Sequence, residues 1–278
     1  LYNITCYYLN SQNYSASSST YYVNVTADAT APSVTGLTET PTDPATYSYG
    51  QVYEFNATVT DASSISVVRL EFNGTNYTAT NLAGDVYNVT ITGLSANTSG
   101  YNYRWYANDT YGNMNGSETG TYIINKAVPQ GSISGTSPIT YGTAGDVQGT
   151  ETNNGDSDVS YVLYRDSVSV SNPDTATLAV GTYNYVYNAT SGTNYTANAS
   201  LDTFALTVNQ ALSSVNLTLD NTQGNVTILQ GSTIDLNCST ISGDSGAILE
   251  LYNNGTLINS GTSPLGNSTA FSNPGLYN

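Results

Sequence analysis

The 278-residue chain has no histidine, one lysine and three arginines, and only 9% of its residues are charged, against about 25% in ordinary soluble domains. Each shortage removes a class of function. Without histidine a serine nucleophile has no imidazole base, and histidine metal sites are absent too. Paired carboxylates remain available, as glycosidases use them, yet each acid that can be placed sits singly on a turn or strand edge. The chain is therefore read as not an enzyme. A net charge of −16 with four scattered cations cannot neutralise a phosphate backbone, so nucleic acid is not expected as a partner. An anionic lipid surface is excluded for the same reason. No run approaches the ~18 apolar residues of a membrane helix, so no membrane insertion is expected within this segment, and any signal or anchor would lie outside it. There are only two cysteines, which fits an exported protein with one structural disulfide better than a cytosolic one with free thiols.

What the chain has instead is asparagine, threonine, serine and tyrosine. A halophile's acidity would need a dense carboxylate surface, which 20 Asp and Glu do not make, so another solvating group is expected. Asn-x-Ser/Thr sequons begin at Asn3, Asn13, Asn24, Asn56, Asn73, Asn76, Asn88, Asn97, Asn108, Asn115, Asn188, Asn194, Asn198, Asn216, Asn225, Asn237, Asn254 and Asn267. Random order of the same composition would give roughly nine, about half as many. Covalent N-linked glycans are the expected modification. In Asn3-Ile4-Thr5, Asn24-Val25-Thr26, Asn88-Val89-Thr90, Asn216-Leu217-Thr218 and Asn225-Val226-Thr227 the middle residue is apolar. On a strand the Asn and Thr then share the solvent face while the middle residue enters the core. The gap between Asn115 and Asn188 marks a stretch expected to lie against neighbouring subunits, or one that is simply poorer in asparagine.

No segment carries a sustained 3.6-residue apolar period, whereas alternation rich in Val, Ile, Thr and Tyr recurs every eight to twelve residues. The fold class is all-β. Residues 1–28 hold two strands, near Tyr2–Leu9 and Thr20–Thr26, which read as the closing hairpin of a sandwich. Residues 29–126 have the length and strand spacing of an immunoglobulin-like sandwich. Residues 127–211 form a similar unit, with strands expected at Gly145–Thr152, Val159–Arg165, Ala176–Val180, Gly181–Thr190 and Asp202–Val208. Residues 212–278 begin a last one. Tyr183, Tyr185 and Tyr187 share a face, as do Tyr101, Tyr103 and Trp105. Asn73-Gly74 and Asn254-Gly255 are tight hairpin turns. Linkers this short predict touching domains in a stiff rod.

Leu276-Tyr277-Asn278 repeats Leu1-Tyr2-Asn3, a coincidence of about one in two thousand at a chosen position. Gly275–Asn278 and Leu1–Cys6 are accordingly expected to be one strand cut in two. The tandem sandwiches form an array in which the terminal one is split between successive units. Asn153-Asn154-Gly155-Asp156-Ser157-Asp158 offers alternate oxygens to Ca²⁺, although a solvated turn is the preferred reading; Asp109-Thr110-Tyr111-Gly112-Asn113 is open to the same two readings, and Asx-turn chemistry explains it adequately. No cofactor is otherwise expected. Of Tyr7-Tyr8, Tyr21-Tyr22 and Tyr47-Ser48-Tyr49, at least one ring each should look outward, toward sugars or a neighbouring subunit.

Ala31-Pro32-Ser33-Val34, Tyr106-Ala107-Asn108-Asp109 with Gly112-Asn113, Gly181-Thr182-Tyr183-Asn184-Tyr185 and Pro274-Gly275-Leu276-Tyr277-Asn278 together resemble the tandem immunoglobulin-like repeats of archaeal cell-surface glycoproteins. The resemblance implies an extracellular or cell-surface location and a stalk, filament, surface-layer or adhesive role. In such sandwiches a B strand and an F strand are stapled across the sheets. Cys238 is on a B-like strand and Cys6 on an F-like strand, separated by two whole domains, and bridging needs Cα atoms within about 7 Å. The implied pairing is Cys238 of one unit with Cys6 of the next, an ordinary intradomain disulfide if the units are segments of one polypeptide and a covalent subunit link if they are separate chains. Departures are clear, since Ile4 replaces the tyrosine two before Cys6 and no tryptophan follows Cys238. The expected partners are neighbouring copies, head to tail. The alternative is an adhesin recognising glycans or another cell.

Overall fold

The computed structural model describes residues 1–277; Asn278, the last residue of the repeated tripeptide, lies outside the described residues. The described residues form 24 β-strands and no α-helix, and none of them makes a helix long and apolar enough to cross a membrane. The chain falls into two compact units. One comprises Leu1–Gly131, Glu151–Tyr161 and Asn188–Leu201, and the other Ser132–Thr150, Val162–Tyr187 and the chain from Asp202 onward.

At the start, β1 (Tyr2–Tyr8) and β2 (Ser17–Val23) pair antiparallel in a two-stranded sheet of their own. Next come β3 (Ser33–Thr40), β4 (Ala45–Thr46), β5 (Val52–Thr60), β6 (Ile65–Phe72), β7 (Thr75–Thr78), β8 (Thr80–Ala83), β9 (Val86–Thr92), β10 (Asn97–Asp109), β11 (Met114–Asn115) and β12 (Thr119–Asn125). They build two sheets, ordered β3-β5-β9-β8 and β4-β12-β10-β6-β7, with β11 on β10. In immunoglobulin lettering these are A-B-E-D and A′-G-F-C-C′, so the strand order itself defines an immunoglobulin-like sandwich. The expected alternation produces it. Along β5, Tyr53, Phe55, Ala57 and Val59 are buried while the residues between them face outward. From the other sheet come Leu70, Tyr103, Trp105, Ala107 and Tyr122, all buried. The Phe55 ring lies 5.0 Å from Phe72, 5.5 Å from Tyr103 and 5.2 Å from Tyr122, within the range of favourable aromatic pairs. Two of the buried phenols have paired hydroxyls, Tyr122 donating to Pro41 O at 2.7 Å and Tyr103 to Glu39, whereas the buried Tyr53 hydroxyl has no hydrogen-bond partner.

The same plan recurs in β13 (Gly131–Ser134), β14 (Ile139–Thr140), β15 (Gln148–Glu151), β16 (Tyr161–Arg165), β17 (Val168–Ser169), β18 (Gly181–Ala189) and β19 (Asn198–Asn209). Here the sheets are β13-β15 and β14-β19-β18-β16-β17, that is A-B and A′-G-F-C-C′. The strand expected at Ala176–Val180 does not form, and this edge contributes only single bridges, Thr177 to Ala144 and Asp174 to Val147. Pro173 has no N–H to give a ladder. Asp174 beside it turns inward, its Oδ2 accepting from Arg165 Nη1 at 2.5 Å and from the Tyr185 hydroxyl at 2.9 Å. With that carboxylate and burial acting on it, the Tyr185 phenol is pushed up to about 12, burial being the larger cause.

Last are β20 (Ser214–Leu219), β21 (Thr233–Ser242), β22 (Ile248–Asn253), β23 (Thr256–Thr262) and β24 (Leu265–Ala270), in sheets β20-β21-β24 and β22-β23. These are A-B-E and C-C′, around the small core of Ile234, Leu236, Cys238, Leu251 and Leu265. Among the described residues β22 has β23 as its one ladder partner. The strand expected at Gly275–Asn278 is not present over its described part. Tyr277 instead packs its ring 4.3 Å from Phe271 and donates its hydroxyl to Asn273 O at 2.9 Å. With no strand beside it to pair with, the segment makes these local contacts.

The three sandwiches share a register. Each B strand follows a one-turn bend closed by a backbone hydrogen bond, Gln51 N to Ser48 O, Thr143 N to Thr140 O and Ser232 N to Leu229 O. Gly50, Gly142 and Gly231 sit in these bends at φ of 73°, 91° and 77°. Seven residues after each glycine stand Ala57, Gly149 and Cys238, all buried. Each C strand is followed directly by a residue with positive φ, Asn73, Asp166 or Asn254, and three residues before each is a buried leucine, Leu70, Leu163 or Leu251. In the middle sandwich a Cβ added at Gly149 would lie 2.6 Å from the Tyr187 ring. Gly149→Ala is thus expected to destabilise by about 1–3 kcal/mol through overpacking; an unshifted midpoint in denaturant unfolding would show that this ring does not set the sheet spacing.

Candidate self-association surface

The β1–β2 hairpin has two unlike faces, the more apolar of which also carries Ser17 and Ser19, while Tyr7 lies on the other. The register Tyr2↔Val23, Ile4↔Tyr21, Thr5↔Thr20 and Cys6↔Ser19 puts Tyr2, Ile4, Cys6, Tyr8, Tyr21 and Val23 on one face, because directly opposed residues share a face. Asn3, Thr5, Thr20 and Tyr22 occupy the other, where the Thr5 and Thr20 hydroxyls are 2.7 Å apart. The apolar face covers no core. Ile4 is 62% and Tyr21 76% exposed, so the middle residue of the Asn3 sequon points to the intended side but buries nothing. A lone two-stranded hairpin is marginal in water at best.

The last sandwich presents the converse. Leu217 pairs with Cys238 and Val215 with Thr240, so both face the inner side of the sheet. Yet Leu217 is 47% and Val215 56% exposed. Across from them β22 turns Leu249 and Leu251 inward and leaves its outer ladder edge without a strand among the described residues. In the two other sandwiches that edge carries F and then G, β10 and β12 or β18 and β19. Cys238 is buried and Cys6 exposed, and both are free thiols.

The acids are structural where they are buried. Asp109 accepts from Tyr111 N at 2.9 Å, Asn113 N at 2.8 Å, Asn113 Nδ2 at 2.7 Å and Ser63 Oγ at 3.3 Å, the Asx-turn geometry expected there. Burial opposes its ionisation, but these donors outweigh it and hold the carboxyl below the usual range. Asp28, Asp61 and Asp109 each bring a carboxylate oxygen to within 4.8 Å of the others. Sequence reasoning missed this grouping, because Asp28 and Asp61, which lie between strands, and Asp109, at the end of β10, are far apart along the chain. Asp61 and Asp28 are likewise engaged in local turns, with Ser63 and Thr30. In the stretch read as a turn or Ca²⁺ site, Asp156 accepts from the Tyr161 hydroxyl at 2.6 Å and Asp158 from Thr193 N at 2.7 Å and Thr193 Oγ1 at 2.6 Å.

The sequons differ in their surroundings. Asn3, Asn13, Asn24, Asn73, Asn76, Asn225, Asn237 and Asn254 are exposed, and Asn56, Asn88, Asn97, Asn108, Asn115, Asn188, Asn198, Asn216 and Asn267 are half-buried. Asn194 alone among the described sequons is buried, at 8% exposure. Its Oδ1 accepts from Ala96 N at 3.0 Å and its Nδ2 donates to Gly155 O at 2.8 Å. Beside it the Tyr47 and Tyr195 rings meet edge to face at 5.6 Å. Tyr47 therefore looks inward and Tyr49 outward.

No family model matches this sequence, and no curated protein sequence does. Among solved structures, the fibronectin(III)-like modules of Clostridium thermocellum CbhA are 16% identical, matched over 64% of this chain and 95% of theirs, with a TM-score of 0.28. The Ig1-2 module of the Drosophila receptor protein tyrosine phosphatase DLAR is 13% identical over 66% of this chain and 100% of its own, at 0.28. A structure concerned with host cell surface retention of a bacterial ice-binding adhesin is 13% identical over 87% and 88%, also at 0.28. The immunoglobulin-like assignment rests on the strand order.

Because the Asp109 carboxyl is held below its ordinary value, its contribution to stability is present at neutral pH and is lost as pH falls from 3.8 through the lower folded value. Asp109→Asn is expected to lower the unfolding midpoint at pH 7, with the gap from wild type closing in acid. A gap that is constant down to acid denaturation would assign the loss to packing instead.

Proposed function

We propose that this chain is an extracellular structural glycoprotein, the repeat of a stalk or filament in which copies join head to tail by sharing strands. One observation carries the reading: among the described residues, a hairpin with an exposed apolar face coexists with a sandwich whose C strand has a single ladder partner and whose inner-wall residues Val215 and Leu217 are exposed. The hairpin's apolar face supplies the area that Val215 and Leu217 lack, and its strands fill the places of F and G. Strand addition of this kind gains affinity from main-chain hydrogen bonds and specificity from alternate side chains. Two antiparallel strands also remove an exposed sheet edge that would otherwise pair promiscuously.

Glycans accompany this role. With 9% charged residues, solvation of the outer faces falls to sugars on the exposed sequons, including Asn3 on the polar face of the hairpin. A linked asparagine keeps one N–H, so a single hydrogen bond is no obstacle, but burial is. Asn194 is excluded from the glycosylated set on that ground. Glycopeptide mapping of the native protein is expected to find sugar at Asn3, Asn73 and Asn237 and none at Asn194; bare exposed sequons or an occupied Asn194 would contradict the assignment.

Self-association is tested on the full chain. Wild type is expected to form end-to-end oligomers whose length grows with concentration in sedimentation velocity, and Ile4→Asp to remain monomeric with an unchanged main unfolding transition. Monomeric wild type at every concentration, or oligomers of the variant as long as those of wild type, would overturn strand sharing.

A further inference from the structure

The half-buried sequons differ in what their amides already do. Most are engaged, as where Asn88 Nδ2 donates to Asn56 Oδ1 at 2.8 Å and Asn267 Nδ2 to Ile258 O at 3.1 Å, and Asn188 has a fully buried Oδ1. Among the described residues Asn108 alone of that set has a side-chain amide in neither condition. It stands on β10 two residues after Tyr106, and residues i and i+2 of a strand share a face about 7 Å apart. Trp105 and Ala107, which alternate with them, are buried, so the shared face is the outer one. The register puts Tyr106 opposite Arg69 and Asn108 opposite Val67 on β6, with Met114 of β11 on the other side of Asn108. Together with Glu71 these residues line a recess of about 260 Å³. The ring in it is fixed at both ends. Its hydroxyl donates to Glu71 Oε2 at 2.9 Å, and a Cβ added at Gly116 would lie 2.6 Å from its Cδ1, so only a glycine there lets the chain after β11 close against it. The cations matter as well. Arg165 is paired with Asp174, Lys126 bonds Gly192 O and Arg104 lies 5.9 Å from the Tyr106 ring centre. Arg69 is exposed and has neither an ion pair nor a hydrogen bond among the described residues.

We propose that this recess seats the glycan carried by Asn108: the C–H face of the first pyranose lies on the Tyr106 ring above Val67, and an acidic group on a following sugar, a carboxylate or a sulfate, is paired by Arg69. The inference rests on the glycosylation reading and gives one of its sugars a binding site. The recess is smaller than the roughly 300–1,000 Å³ of pockets that hold free ligands. A tethered sugar needs less, because its covalent link gives it a local concentration on the order of millimolar and removes most of the translational cost of binding. Stacking buries apolar C–H surface against a ring that is already held in place, so little side-chain freedom is lost. Arg69 supplies the choice of sugar. In a chain of net charge −16 an acidic sugar is repelled from most of the surface, and an unpaired guanidinium is where it is attracted. Asn76 also borders the recess. It lies opposite Glu71 on β7, two strands from Tyr106, so its sugar would meet the carboxylate before the ring. A sugar seated from Asn108 covers β11, whose two residues pair with β10 alone among the described residues, and shields that ladder from water.

The test measures amide hydrogen exchange over residues 110–118, which include β11, in the native glycosylated full chain and in Asn108→Gln. Each is made with Tyr106 intact, with Tyr106→Phe, which keeps the ring, and with Tyr106→Val, which removes it but keeps strand propensity. Sugar on Asn108 is expected to slow exchange roughly threefold or more with Tyr106 or Phe in place, and to have no effect beside Val. Asn76→Gln should leave the protection intact, Arg69→Gln should weaken it, and the Asn108 glycopeptide should carry an acidic sugar by mass spectrometry. Equal slowing in the Tyr106→Val background overturns the stacking, loss of protection in Asn76→Gln overturns the choice of sequon, and a neutral glycan overturns the role of Arg69. A glycan on Asn108 that slows nothing overturns the seat and leaves the glycosylation reading standing. An unmodified Asn108 beside occupied exposed sequons likewise overturns the seat alone, whereas bare sequons throughout the chain overturn both.

Discussion

The sandwiches depend on one layer of contact, in which a B-strand residue, a C-strand leucine and an F-strand side chain meet between the sheets. Opposed sheets pack about 10 Å apart, so a small residue on B requires a large one on F. Ala57 with Trp105 and Gly149 with Tyr187 satisfy that requirement in two different ways. The bends at Gly50, Gly142 and Gly231 and the turns at Asn73, Asp166 and Asn254 deliver these residues to the same height each time. In the third sandwich B and C are in place around Cys238 and Leu251, and the inner wall beside them stays open. The proposed self-association and the reading of the hairpin both start from that layer, which is incomplete among the described residues.

A protein with so few charges has to satisfy its buried polar groups in other ways. Tyrosine does much of this, combining ring area with a hydroxyl that reaches a partner. Tyr122 donates to Pro41 O, Tyr185 to Asp174 and Tyr161 to Asp156. The same phenols keep the acids of the interior occupied, which is why carboxylates such as Asp174 serve as fold anchors. Lys126, the single lysine, is spent in a similar way, its Nζ donating to Gly192 O at 2.6 Å. Surface solvation is then left to neutral groups, and the exposed asparagines on strands and turns are suited to carry them.

The all-β class, the alternation of core positions, the turns at Asn73-Gly74 and Asn254-Gly255 and the inward face shared by Tyr103 and Trp105 were legible in the sequence, because strand periodicity and turn chemistry are local properties. The short strands β4, β7, β8, β11, β13, β14 and β17 were not, since two to four residues carry no period and form only where a neighbouring ladder is already present. The strand expected at Ala176–Val180 failed because Pro173 and the inward Asp174 outweighed the apolar pattern that follows them. Gly275 to Tyr277 have no ladder partner among the described residues, and pairing partners decide whether an extended segment becomes a strand.

By itself, then, the sequence determined that this is an all-β chain of sandwiches with eighteen Asn-x-Ser/Thr sequons and two cysteines on strands. Only the tertiary structure decided which sequon is closed, that three distant carboxylates meet at Asp109, and that Leu217 and Ile4 face inward on their sheets with nothing to cover them. Burial and proximity depend on which strands become neighbours, and that is set by packing across the sheets, which a periodic pattern along the chain does not specify.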